Sequence, residues 1–295
     1  MEVTDQQRRP GCDSRLKMHL RLRTIGNCTY RLITLRPDTN VAFSTNFFHP
    51  TWHIITSALG ARLLARLLWG LSYERHPGTL ILVHGAHLLP TPFEAERSDP
   101  ILLAPAGLTR LNAADFRMLK SHLNRLGPPT KTIRWQSFGL DTALLTQASD
   151  RPEVGNAGDK LRWKSNRQLW KQERMERIGG FIVYSAPPPI LRLQALRVHV
   201  LRVRKGAPTT AMDYHFLAEG SSRDSWYDGE VQIFADYMDR VAAAVQARAE
   251  LLANPNEPIL SDEIQEIVSR RRDQIKAYRV RSNRHRTREH RTKIG

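Results

Sequence analysis

The segments Thr79-Leu-Ile-Leu-Val-His84-Gly85 and, after a polar loop, Pro100-Ile-Leu-Leu-Ala-Pro105 decide the fold class of this chain of 295 residues. Each contains a short, continuous apolar run bounded by Pro or Gly. Such runs are typical of strands that are buried on both faces, as in a parallel sheet covered by helices. We therefore predict that these two strands form the centre of a sheet, and that the rest of the chain packs around it.

The chain from 100 to 184 alternates between strand and helix patterns. Asn112 is a good N-cap with Asp115 three residues later, and Gly127-Pro128-Pro129 ends the helix that follows. This alternation predicts an α/β fold with a mostly parallel sheet covered by helices. The predicted strands lie at 100–105, 130–138 and 181–184, and the predicted helices at 112–126 and 161–178.

The N-terminal region predicts a β-hairpin with one cationic face. Residues 15–23 alternate strictly, with apolar side chains on one side and cations on the other. Gly26-Asn27 is a turn signal, and residues 28–35 are predicted to form the return strand. The cations have two interpretations: a binding surface, or the positive charge with which edge strands prevent pairing with other chains. They are Arg15, Lys17, His19, Arg21 and Arg23.

Several other segments are predicted from their apolar periodicity. The apolar segment 54–73 carries Arg62 and Arg66 near its middle, which favours a buried helix, starting at 52, over a membrane span. We expect a loop at 40–51, a helix then a strand over 187–205, and irregular structure at 207–228. A long helix is predicted from Glu230 to Leu252 and a final one from Ser261 to Ile275. We expect a soluble, cytoplasmic protein, because residues 1–14 lack an apolar export signal.

These elements predict four segments along the chain. A basic β-hairpin and loop precede an α/β core, and a C-terminal helical extension precedes a disordered basic tail, since the last residues offer little to bury. The predicted bounds are 1–49, 50–206, 207–278 and 279–295.

The net charge of +16 is concentrated at the two ends of the chain. Residues 1–36 carry +5 and residues 270–295 carry +9, whereas the middle carries only +2. This distribution is typical of an electrostatic binding surface added to a nearly neutral scaffold. Only nine of the 45 basic residues are Lys, so the Arg content also has an alternative explanation in genome composition.

The leading functional hypothesis is a non-catalytic protein that associates with nucleic acid. Cationic arms bind phosphate backbones through counterion release, without sequence selectivity. An acidic protein partner is the alternative, and a membrane surface is disfavoured because no hydrophobic anchor accompanies the charges. The predicted nucleic-acid-binding residues are Arg15, Lys17, Arg21, Arg23, Arg270, Arg271, Arg272, Lys276, Arg279, Arg281, Arg284, Arg286, Arg288, Arg291 and Lys293.

The competing hypotheses are an enzyme and an adaptor in a larger complex. Ligands of open α/β sheets bind beyond the carboxyl ends of the strands, where His84 and His87 follow the first central strand. A metal site would need a third ligand, and a hydrolase could use Ser185, although the chain has no Gly-x-Ser-x-Gly turn. We predict no metal or cofactor, and no motif decides whether the protein is an enzyme. The third ligands considered are Glu94, Glu96 and Asp99.

Overall fold

The computed structural model describes residues 16–109, 112–149, 167–203, 212–219, 227–253, 266–275 and 277. These residues form two β-sheets and the helices that cover them. The strands are β1 Lys17–Ile25, β2 Cys28–Leu35, β3 Phe43–Phe48, β4 Thr51–Thr56, β5 Thr79–Val83, β6 Ile101–Pro105, β7 Lys131–Arg134, β8 Arg174–Ile178, β9 Phe181–Ala186, β10 Met212–Glu219 and β11 Tyr227–Phe234. The helices are α1 Ala58–Leu71, α2 Ala113–His122, α3 Leu140–Ser149, α4 Arg167–Trp170, α5 Pro188–His199, α6 Tyr237–Leu252 and α7 over 266–275.

The larger sheet has seven strands in the order β7-β1-β2-β5-β6-β9-β8. As predicted, β5 and β6 lie near its centre and are buried along their whole length. The expectation of a mostly parallel sheet is not met, because only β2–β5 and β6–β9 pair in parallel. The physical reason is the connections: parallel neighbours need a crossover, usually a helix. The 17-residue loop from β5 to β6 contains only a short 3-10 turn, and Gly179-Gly180 alone joins β8 to β9.

The N-terminal hairpin is confirmed. β1 and β2 pair antiparallel, with Ile25 opposite Cys28 across the Gly26-Asn27 turn. Gly26 has a φ of 56°, the left-handed conformation that two-residue hairpin turns require.

The smaller sheet was not predicted from the sequence. Its four strands lie in the order β10-β11-β4-β3, and only β4 and β11 pair in parallel. β3 occupies residues predicted as loop, and β10 and β11 occupy much of the segment predicted as irregular. Because β11 continues to Phe234, the helix predicted from Glu230 begins at Tyr237 instead.

Helices cover the two faces of the larger sheet. α1 and α5 pack against each other over one face, which includes Met18 and Leu20 of β1. α2 covers the other face, where Leu32, Leu82 and Leu102 meet Phe116. The predicted capping box of α2 is present: Asn112 Oδ1 accepts from the Asp115 N–H at 2.9 Å, and the Asp115 carboxylate accepts from the Asn112 N–H at 3.1 Å.

The apolar segment predicted as one helix from 52 is a strand followed by a helix. β4 ends at Thr56, and the Ser57 hydroxyl caps α1 by accepting from the Gly60 N–H at 3.3 Å. The helix itself is buried as predicted, with Leu64 only 2% exposed. Within the described residues, no helix is both long and apolar enough to cross a membrane.

Two further helix predictions are corrected. Over 161–178, the described part contains only the four-residue α4 followed by β8. Over 187–205, α5 extends to His199, and residues 201–203 form no strand. The final helix is present at 266–275, whereas the tail at 279–295 lies outside the described residues.

The predicted division of the chain at 49, 206 and 278 stays a prediction. β1 and β2 share a sheet with β5 and β6, and β11 pairs with β4. Strands from the first three predicted segments therefore contribute to shared sheets.

Candidate functional site

One face of β1 carries a row of cations. Met18 and Leu20 point into the core beneath α1, so strand alternation places the odd-numbered residues on the opposite face. β7 pairs with β1 so that Arg134 lies opposite Lys17, which adds Arg134 to the same face. We call this surface the cation row; its cations are Lys17, Arg21, Arg23 and Arg134, and His19, whose pKa is lowered by burial, lies among them.

Arg21 is the fixed member of the cation row. Its Nη1 donates to Thr34 Oγ1 at 2.7 Å, and its Nε donates to the carbonyl oxygen of Gly127 at 3.0 Å. Burial and the neighbouring charge of Arg23 lower the pKa of Arg21, although a guanidinium stays charged in proteins. The row therefore contains one guanidinium that is already held in place before any ligand binds.

The charge of the cation row is not neutralised by neighbouring carboxylates. Among the described residues, Lys17, Arg23 and Arg134 have no carboxylate oxygen within 4.0 Å. Over residues 17–20, β1 also lies between β7 and β2, so this part of it is not at the edge of the sheet. Protection of a sheet edge therefore does not explain Lys17, whereas Arg23 lies beyond the paired part and Arg134 lies on the edge strand β7.

The predicted arginines of α7 lie elsewhere and have internal partners. Arg270 pairs with Glu266 and Arg271 with Glu250, each at 2.7 Å. Arg272 is 8% exposed, and its Nη1 lies 3.3 Å from the carbonyl oxygen of Pro92. α7 thus packs beside α6 and the loop at 92–93, away from β1. The other predicted binding residues lie outside the described residues: Arg15, Lys276, Arg279, Arg281, Arg284, Arg286, Arg288, Arg291 and Lys293.

The ring of His87 is held between two backbone carbonyl groups, which indicates a structural role. Its ring is buried, with Nδ1 3.0 Å from the carbonyl oxygen of Val41 and Nε2 3.0 Å from that of Arg36. These contacts tie the turn after β5 to the loop after β2. Within the described part of the chain, no group of three His, Cys, Asp or Glu side chains is arranged to hold a metal ion.

His84 lies close to the cation row. Its imidazole is half-buried, and burial lowers its pKa to about 4, with further contributions from the charges of Arg21 and His87. The structure therefore brings together two predicted features that are far apart in sequence, the cations of β1 and the histidine after β5. It does not bring Asp99 into this group, because Asp99 pairs with Arg177 at 2.6 Å and Lys120 at 3.6 Å.

A separate cleft of about 290 Å³ lies at the end of the β3–β4 hairpin. Phe47, Phe48 and Trp52 line one side of it, and Glu94, Glu96 and the Asp99–Arg177 pair line another. Burial raises the pKa of Glu94, whose carboxylate accepts from the Thr91 hydroxyl at 3.3 Å. The sequence analysis did not single out these aromatic residues, because Phe47 and Phe48 lie in the segment predicted as a loop and Trp52 lies at the start of the predicted helix.

A buried polar network joins the two sheets. Tyr184 Oη and Gln194 Nε2 donate to the same Glu173 oxygen at 2.6 and 2.8 Å. Because the Gln194 amide nitrogen is used in this way, its oxygen accepts from His215 Nε2 at 2.6 Å. Burial raises the pKa of Glu173 and lowers that of His215 to about 3. Glu173, Tyr184 and Gln194 are each at most 3% exposed, so the network is a structural junction.

Comparison with known proteins gives no assignment: no family model, no curated protein and no solved structure matches this chain.

Proposed function

We propose that the protein is a non-catalytic nucleic-acid-associated protein that binds the phosphate backbone without sequence selectivity. The observation that carries this proposal is the cation row: several basic side chains on one face of the paired strands β1 and β7, with no carboxylate neutralising Lys17, Arg23 or Arg134 within the described residues.

The spacing of the row suits a phosphate backbone. Alternate residues of a strand are about 6.8 Å apart, so Lys17 to Arg23 spans roughly 20 Å. Duplex DNA presents one phosphate per about 3.4 Å of axis on each strand. The row therefore offers about one cation for every two nucleotides. Such contacts neutralise phosphates without reading base edges, which explains the proposed lack of sequence selectivity.

The test is fluorescence anisotropy with a labelled duplex and a labelled single strand across a salt series. The row variant combines Lys17→Gln, Arg23→Gln and Arg134→Gln and leaves the anchored Arg21 in place. Removing three phosphate contacts should make the slope of log affinity against log salt shallower by about 2.7 on duplex DNA. Unrelated sequences should lose affinity to the same degree.

The matched control removes three exposed cations that do not belong to the cation row: Arg62→Gln, Arg75→Gln and Arg202→Gln. It has the same net charge as the row variant, so a difference between the two variants reports position and not total charge. No binding by the full-length protein at low salt, or equal losses in both variants, would refute the proposal. Binding to an acidic peptide but not to either oligonucleotide would refute nucleic acid as the ligand of the cation row and support the alternative partner, an acidic protein.

A further inference from the structure

The carboxyl ends of β2 and β5 lie side by side. The two strands pair in parallel, with Thr34 opposite Leu82, so the segments that follow them leave the sheet at the same end. Arg36 directly follows the last residue of β2, and His84 directly follows the last residue of β5. This is the position at which open sheets with parallel strands bind ligands.

Strand alternation places these side chains on the face that carries the cation row. His19 lies opposite Thr34 in the β1–β2 register, and Arg21 donates to the Thr34 hydroxyl. His84 has extended backbone angles, φ −155° and ψ 176°, so it continues the alternation of β5 and lies on the same face as Leu82. That face is shared by Thr34 and therefore by His19 and Arg21.

The pKa shifts of the two histidines agree with the placement that the strand registers give. Arg21 contributes to the lowered pKa of both His84 and His19, and Arg36 also lowers that of His19. The carboxylate that acts on His19 is Asp38, which is already paired with Arg36 at 2.9 Å. The end of the row thus holds two guanidinium groups and two imidazoles, and the nearby carboxylate of Asp38 pairs with Arg36.

His84 has the features of a group that awaits a ligand. Its ring is largely withdrawn from water, yet it has no hydrogen-bond partner among the described residues. The nitrogens of the ring are not among the buried polar atoms that lack a partner, so they are accessible to water or to a ligand. The next residue, Gly85, has a φ of 63° and is exposed, with open space where a side chain would be.

We propose that Arg21, Arg36, His19 and His84 form a binding site for a tetrahedral oxyanion, a phosphate or sulfate group. Arg21 is held by Thr34 and Gly127, and it uses two of its five N–H donors in these bonds. It can therefore donate to an oxyanion without reorganising. The phosphate group has two sources, a nucleic-acid backbone or a free phosphate monoester, and only the first rests on the function proposed above.

Binding at this site is coupled to protonation. An anion favours the charged imidazolium form of His84 and His19, so affinity increases as the pH falls. The other charged or titratable groups that act on His84 are Arg21 on β1 and His87 in its own turn, and those that act on His19 are Arg21, Arg36 and Asp38. Sulfate keeps its charge between pH 5.5 and 8, so a pH effect with sulfate reports on the protein.

The experiment titrates the full-length protein with sodium sulfate, against sodium chloride of equal ionic strength. Binding is measured by calorimetry and by the imidazole ¹H–¹⁵N signals of His84. We expect sulfate to shift the His84 signals, and both His84→Asn and Arg36→Gln to weaken sulfate binding by about tenfold, the loss of one charge-assisted hydrogen bond. The control His122→Asn removes an exposed histidine at the end of α2 and should change nothing.

An equal sulfate affinity in the wild type, His84→Asn and Arg36→Gln would overturn the inference, and so would unchanged His84 signals. Phenyl phosphate and dimethyl phosphate then separate the sources: tighter binding of the monoester assigns the site to free phosphate monoesters, and similar binding assigns it to a backbone. Sulfate binding through His84 without oligonucleotide binding would retain this site and refute the proposed function. Oligonucleotide binding that depends on the cation row, without sulfate binding, would support the proposed function and refute this oxyanion site.

Discussion

Replacing His215 by Gln should reduce the loss of stability that the protein suffers at acidic pH. His215 lies in the junction between the sheets, where its Nε2 donates to Gln194 and Gln194 donates to Glu173. A glutamine side chain can donate to Gln194 as well, but it cannot take up a proton. The substitution therefore keeps the hydrogen-bonding chemistry and removes the titration.

The sign follows from the pKa of His215, which burial lowers from 6.5 to about 3, with a further contribution from the charge of Arg197. The unfolded chain binds a proton as the pH falls below 6.5, whereas the folded protein does not. The stability contributed by neutral His215 is therefore present above pH 6.5 and is lost as the pH falls from 6.5 towards 3. At pH 5 the loss is about 2 kcal/mol, because one pKa unit corresponds to about 1.36 kcal/mol.

The assay is urea unfolding of the wild type and His215→Gln at pH 8 and pH 5. Burial also lowers the pKa of His53 and His84 to about 4, but these groups titrate in both proteins and cancel in the difference. The free energy of unfolding should fall by about 2 kcal/mol less in the variant than in the wild type. An identical fall in both proteins would show that His215 is not buried in the neutral form, which would refute the junction as described.

Three further predictions concern the tail and the core. Deleting residues 279–295 removes seven Arg/Lys, and it should make the salt dependence of polyanion binding shallower; unchanged anisotropy curves would exclude the tail from the site. Gly229→Ala places a Cβ about 2.7 Å from Met175 Cβ, where the sheets touch, and should lower the free energy of unfolding by about 1–3 kcal/mol, measured in urea. Leu64→Asp buries a carboxylate within α1 and should prevent folding, whereas a far-ultraviolet spectrum and melting temperature like those of the wild type would show that the helix is exposed.

The sequence predicts elements well where the signal is local. The apolar runs of β5 and β6, the capping box of α2 and the Gly26-Asn27 hairpin are each encoded in a few adjacent residues. The direction of pairing is not local, and it is here that the prediction of a mostly parallel sheet was wrong. A signal was present: the loop from β5 to β6 has no helical periodicity, and a parallel pair would need a crossover.

Strand β8 shows how a local signal can be assigned to the wrong element. Met175 is buried between exposed Arg174 and Glu176, which is the alternation of a strand. The segment was predicted as the end of a charged helix, and Gly179-Gly180 as the signal that ends it. A Gly-Gly pair between two short apolar alternations is equally the signature of a hairpin turn.

The candidate site depends on register, which no single segment encodes. Alternation within β1 predicted Lys17, Arg21 and Arg23, but Arg134 joins them only because β7 pairs so that it lies opposite Lys17. A shift of one residue in that register would turn Arg134 towards the core face, where Met18 and Leu20 pack beneath α1. The buried face of β1 therefore fixes the register, and the register in turn places the cations. The apolar residues that fold the strand are thus what holds the charges on a single surface, and the core and the proposed function constrain the same strand.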